Sequence, residues 1–153
     1  MTVKRIICAV LVLCLLPACA LAGFSKDYVE DFNILAELFG APELENTPLY
    51  TSDGMTTYKI GDGFCGFSVD SGELRGVSTT ETGEAFLICS VIMLMVLECS
   101  ATNIMDNCGV LFSTYMMCKM NKGEQRTATT DSGILIMVEK YGSENQYMMV
   151  AYK

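Results

Sequence analysis

Thirteen consecutive residues, Ala85 to Leu97, carry no charge, and Ser90 is the only one of them outside the apolar class. That run constrains the fold more than any other stretch. As a helix it is about 20 Å long at 1.5 Å per residue, short of a ~30 Å hydrocarbon core. Glu84 and Glu98 close its two ends, and no cluster of Lys or Arg flanks it. A strand is the competing reading, favoured by Val91, Ile92 and Val96, but strands usually run 4–8 residues. Glu81 and Glu84 stand where a helix N-terminus prefers negative charge. The run therefore predicts a helix that is apolar all round, buried at the centre of a globular domain.

The other apolar run lies at the start. Lys4 and Arg5 precede 11 uninterrupted apolar residues, Ile6 to Leu16, which Pro17 breaks. Ala20-Leu21-Ala22 then offers the small residues that a signal peptidase accepts. This is the pattern of a bacterial-type secretory signal peptide, residues 1–22, with cleavage expected after Ala22. A membrane anchor would need roughly 20 apolar residues. Lipidation is the alternative, because Leu16-Pro17-Ala18-Cys19 loosely fits a lipobox that would leave Cys19 acylated. Against it, Pro is a poor fit and no polar tether follows.

Processing leaves residues 23–153, enough for one domain. Loss of Lys4 and Arg5 leaves 8 basic residues against 18 acidic ones, a net charge of −10. Such a surface disfavours nucleic acid and anionic membranes, both of which reward Lys and Arg. It is also the ordinary surface of an extracellular protein.

Periodicity supplies the remaining elements. In Ser25 to Phe39 the apolar residues Tyr28, Phe32, Leu35 and Phe39 mark an amphipathic helix, with Ser25 as N-cap, Gly40 as its stop and Pro42 just beyond. Ala41 to Tyr50 reads as a Pro-containing connector. Met55 to Ile60, Phe64 to Val69 and Leu74 to Thr80 are short runs rich in Thr, Val and aromatics. They are divided by the turn sequences Gly61-Asp62-Gly63 and Asp70-Ser71-Gly72, as in a three-stranded meander. A further helix follows over about Asp106 to Asn121. The chain then closes in strands at Arg126 to Thr130, Ile134 to Tyr141 and Tyr147 to Tyr152. The predicted fold is α+β: an antiparallel sheet of five or six strands with helices packed on one face.

Chemistry is bounded mainly by what is missing. The chain has no His, which removes Ser-His and Cys-His nucleophiles and every His-ligated metal site. Asp62 and Asp70 sit beside Gly in turn sequences, where turn chemistry explains them. Gly61-Asp62-Gly63 is not followed by a helix, so it is no phosphate loop. No cofactor is expected. Ten Met remain after cleavage, and Met116, Met117 and Met120 surround Cys118. That is a soft-ligand set suited to Cu(I), but Met filling irregular core space is the preferred reading. Tyr141, Tyr147 and Tyr152 fall in the last hairpin as a candidate interaction surface, though strands favour Tyr in any case.

Five cysteines remain after cleavage, Cys65, Cys89, Cys99, Cys108 and Cys118, and none has zinc-ribbon spacing. Cys89, Ile92, Val96 and Cys99 are spaced 3, 4 and 3, and Cys108, Leu111, Tyr115 and Cys118 repeat that spacing. If the two helices form an antiparallel hairpin across Ala101 to Met105, Cys99 stands level with Cys108 and Cys89 level with Cys118. Export into an oxidising compartment would then allow two disulfides, with Cys65 left over.

The resulting expectation is a secreted or cell-envelope, non-enzymatic binding domain. Its partner would be a protein or another envelope component, and no membrane span would remain after processing. A hydrolase that uses a pair of carboxylates on a cell-wall or other glycan is the competing expectation. The lipid-anchored form through Cys19 is the third.

Overall fold

The computed structural model describes residues 28–52, 54–61, 63–68, 74–79, 83–98, 101–120, 125–141 and 146–152. The signal-peptide and Cys19 readings, the Ser25 cap, Asp62, Asp70 and Cys99 therefore lie outside the described residues. Helix α1 spans Tyr28–Phe39. Four strands follow: β1 (Leu44–Ser52), β2 (Met55–Ile60), β3 (Gly63–Ser68) and β4 (Leu74–Thr79). Then come helices α2 (Gly83–Glu98) and α3 (Ala101–Met120). The last strands are β5 (Arg126–Thr129), β6 (Leu135–Tyr141) and β7 (Gln146–Tyr152).

The protein is α+β. The described strands form one seven-stranded sheet in the order β1-β2-β3-β4-β7-β6-β5, and every neighbouring pair is antiparallel. The two strand groups meet where β4 pairs with β7. Seven strands replace the five or six expected because the supposed connector is itself a strand. Pro48 lies in β1 at the edge of the sheet, where a missing N–H breaks no inner ladder, and the β1–β2 register shifts on either side of it.

One row of paired residues crosses six strands: Tyr58, Cys65, Val77, Met149, Val138 and Arg126. Cys65, Met149 and Val138 are fully buried, as are Ile60 and Ile136 on the same face. That face is the one the helices cover. α2 packs on β4 and β7, α3 on β5 and β6, and α1 on β1 and α2.

α2 is buried as its charge-free sequence requires. Phe86, Cys89, Ser90, Ile92, Met93, Leu94 and Met95 are all inaccessible, on every side of the helix. Its neighbours are α1, α3 and the sheet. Among the described residues no helix is long and apolar enough to cross a membrane. α1 ends in a Schellman closure: Gly40 has φ +62°, its N–H donates to the Glu37 carbonyl, and the Ala41 N–H donates to Ala36.

The helical hairpin differs from the expected one. α3 begins at Ala101 rather than near Asp106, so only residues 99 and 100 separate it from α2. The shorter link changes which residues stand level. Phe86 of α2 meets Tyr115 of α3, with ring centroids 5.7 Å apart, whereas the expected register set Tyr115 beside Ile92. The six-residue difference is about 9 Å along the helix, enough to take Cys89 and Cys118 to different levels.

Candidate functional site

An open groove of about 490 Å³ lies between α1 and the β1 edge of the sheet. Asn33 sets its geometry. The Asn33 amide Nδ2 donates to the Leu44 carbonyl at 3.0 Å, and the Leu44 N–H donates back to Asn33 Oδ1 at 2.7 Å. The side chain thus stands in for a strand neighbour and fixes the helix against the start of β1. Phe32, Leu35 and Ala36 bury the opposite side of α1. Glu30, Ile34 and Glu37 are left facing outward, with Val29 beside them.

Three carboxylates line this groove, Glu30, Glu37 and Glu43, and among the described residues no basic one does. Val29, Ile34 and Tyr58 give it apolar surface, and Ile34 is 54% exposed. The nearby Lys59 is held at 3.1 Å by Glu45, an exposed pair of small energetic worth. The groove therefore combines negative potential with accessible apolar contacts. Among the described residues that line it there is no Cys, Ser or Thr, and the chain has no His. Sequence reasoning missed it because its residues come from α1, the β1 edge and β2, and because Asn33 finds its partner in a backbone.

Of the three hairpin tyrosines, Tyr147 is a core residue. Tyr147 is 1% exposed. It alternates with Met149 and Ala151 toward the helices, and its ring lies 5.6 Å from Phe86 and 4.9 Å from Tyr115. Burial raises the Tyr147 and Tyr115 hydroxyl pKa values above the usual tyrosine value, and the neighbouring Cys118 adds to both. The side chains of Tyr141 and Tyr152 lie outside the description.

The cysteines separate in the same way. Cys65, Cys89, Cys108 and Cys118 are all buried, and Cys89 and Cys118 are not joined to each other. Cys65 projects from β3 toward α2. Burial pushes its thiol pKa well up, and the adjacent Cys89 adds to the effect. Cys118 instead faces β5 and β6, where burial raises its pKa against the opposing influence of the Lys140 main chain and Arg126. The expected pairing of Cys89 with Cys118 gives way to two separate neighbourhoods. The pairing of Cys99 with Cys108 involves a residue outside the description.

The soft-ligand set also comes apart. Met116, Met117 and Met120 are exposed at 37%, 55% and 71%, while Cys118 is fully buried on the other side of α3. These three methionines are not core residues, contrary to the preferred reading. At 100° per residue, the step from Met116 to Cys118 crosses to the far side of the helix. Among the described residues no group of three or more Cys, Asp or Glu could hold a metal ion. Comparison with family models, with curated proteins and with solved structures finds no match.

Proposed function

We propose that the chain is an exported, non-enzymatic binding domain, and that the groove between α1 and the β1 edge takes a cationic, amphipathic segment of an envelope or extracellular macromolecule. The observation that carries this reading is the lining: Glu30, Glu37 and Glu43 around Val29, Ile34 and Tyr58, with no basic residue among the described residues there. A basic segment would meet the carboxylates that line the groove, and its apolar side chains would cover Ile34. Lack of His anywhere in the chain supports binding over acid–base catalysis. Lys4, Arg5, the apolar run to Leu16 and Ala20-Leu21-Ala22 support export.

Two peptides of equal length, one alternating Lys with Leu and one alternating Glu with Leu, test the reading by fluorescence anisotropy. The Lys/Leu peptide is expected to bind, more weakly as salt is raised. A Glu37→Lys, Glu43→Lys double variant is expected to lose it while keeping its circular dichroism. Equal binding of both peptides, or an unaffected double variant, would discard the proposal. Intact-mass analysis of exported material tests the address. The expected chain begins at Gly23, and one that retains Met1 or carries an acylated Cys19 contradicts it.

A further inference from the structure

The groove along α1 suits a segment of this same chain. Its proposed ligand is a basic stretch with apolar side chains, and the sequence holds such a stretch. Lys4 and Arg5 are the only two basic residues adjacent in sequence, and the 11 apolar residues Ile6 to Leu16 follow them directly. The chain itself ties that segment to the groove. Residues 17–27 lead from it to Tyr28, the first residue of α1, and Val29 and Glu30 of that helix line the groove. On the outward side of α1, Ile34 is 54% and Leu38 56% exposed. Glu37, beside Leu38, and Glu43, just beyond the helix end, are exposed carboxylates of the lining. α1 has no basic residue in its last turn, where the helix dipole favours a cation.

We infer that the uncleaved chain fills its own groove: Ile6 to Leu16 lies antiparallel along α1 against Ile34 and Leu38, and Lys4 and Arg5 meet Glu37 and Glu43. This rests on the binding function proposed for the groove and on cleavage after Ala22. Length and charge both select this occupant. Taken as a helix, the 11 apolar residues span about 16 Å, and the 12 residues of α1 span about 18 Å. Pro17 ends the run, and the residues 17–27 are ample to reverse the direction of the chain. With Leu16 level with Tyr28, the basic pair falls at the far end of α1, beside Glu37 and Glu43. A parallel arrangement would carry Lys4 and Arg5 to the opposite end, away from both carboxylates and from the terminus that favours cations. Because the segment is attached, it meets the groove at an effective concentration on the order of millimolar, enough for a weak contact to prevail. Cleavage removes the two cations, the apolar run and the tether together. The groove is thereby closed to other ligands until the chain is processed.

The chain from Met1 and the chain from Gly23, both made by cell-free synthesis so that no peptidase acts, are compared for binding of the Lys/Leu peptide by fluorescence anisotropy. The chain from Gly23 is expected to bind, and the chain from Met1 to bind at least tenfold more weakly. Lys4→Glu with Arg5→Glu in the chain from Met1 is expected to restore binding. Carbodiimide coupling, which joins an amine to a carboxylate in contact with it, is expected to link Lys4 to Glu37 or Glu43 in the chain from Met1. Equal binding by the two chains would overturn the inference and leave the function proposed for the groove in place. Absence of binding by the chain from Gly23 would discard both. A block that persists after Lys4→Glu with Arg5→Glu, with no link from Lys4, would also overturn the inference, because the charges would then have no part in it.

Discussion

Tyr115 of α3 meets Tyr147 of β7 edge to face, with ring centroids 4.9 Å apart and planes inclined at 67°. Phe86 of α2 lies within 6 Å of both rings, so three aromatic side chains join two helices to the sheet at one point. Lys119 reaches over the outer side of the Tyr115 ring, 5.9 Å from its centroid. Tyr147→Ala would empty the centre of this cluster and is expected to cost about 3–5 kcal/mol, the range for a large aromatic removed from a core. Tyr147→Phe keeps the ring contacts and should cost far less. Urea unfolding followed by circular dichroism separates the two. A Tyr147→Ala variant that lost under 1 kcal/mol would show that the cluster does not hold the layers together.

The same tyrosines, with Cys65, set the response to alkali. Each has its pKa raised in the fold, first by burial. A raised pKa means that the folded chain keeps the proton while the unfolded chain gives it up. The stabilisation is therefore complete below the unfolded values, near 9.0 for the thiol and 10.0 for the hydroxyls, and is lost as pH rises through the folded ones. The urea midpoint should be insensitive to these groups at neutral pH and should fall above pH 9, more steeply above pH 10. Cys65→Val should remove part of the first decline and leave the second. A midpoint that held steady through this range would contradict the assigned burial.

Two glycines with equal free space around them should respond in opposite directions. A side chain at Gly40 or Gly109 would touch nothing within 4 Å. Gly40, however, has φ +62° and closes α1, a conformation that costs an L-residue about 1–2 kcal/mol. Gly109 lies in the regular interior of α3, where Ala is favoured by about 1 kcal/mol. Gly40→Ala should lower the melting temperature, and Gly109→Ala should raise it. Shifts of the same sign would show that space rather than backbone conformation governs these sites.

These contrasts show where the sequence is legible. Ala85 to Leu97 announces a buried helix because no face of it could be left in water. Gly40 is readable because few other residues close a helix so cheaply. β1 was hidden because eight of its nine positions are exposed and it contains Pro48, so it lacks the alternation that marks a strand. Tyr147 was misassigned because Tyr suits an interface and a core equally well, and only its register beside Met149 and Ala151 decides between them. The hairpin register depended on the length of one turn. Ala101 to Met105 carries no strong signal, so their helical state became apparent only once α2 and α3 were seen to be two residues apart. The acidic groove was illegible for a further reason. Glu30, Glu37, Glu43 and Tyr58 have no common motif, and only the fold brings them together.

Asn33 offers the sharpest test of how that groove is built. Its amide both donates to and accepts from the Leu44 main chain, and Leu44 itself is 3% exposed. Asn33→Ala would leave a part-buried N–H and carbonyl without these partners, which is expected to cost about 1–3 kcal/mol. Asn33→Asp separates the two bonds. A carboxylate still accepts from the Leu44 N–H but cannot donate to the Leu44 carbonyl, and it adds a fourth negative charge beside Glu30, Glu37 and Glu43. Its stability should fall between those of the native chain and Asn33→Ala at low pH, where the new carboxyl is protonated and regains a donor. It should fall further as the pH rises past about 4 and the carboxyl ionises. Amide hydrogen exchange at Leu44 gives the direct readout: fast in Asn33→Ala, protected in Asn33→Asp. Equal protection in both variants would mean that β1 is anchored by its pairing with β2 alone and that Asn33 is not what shapes the groove.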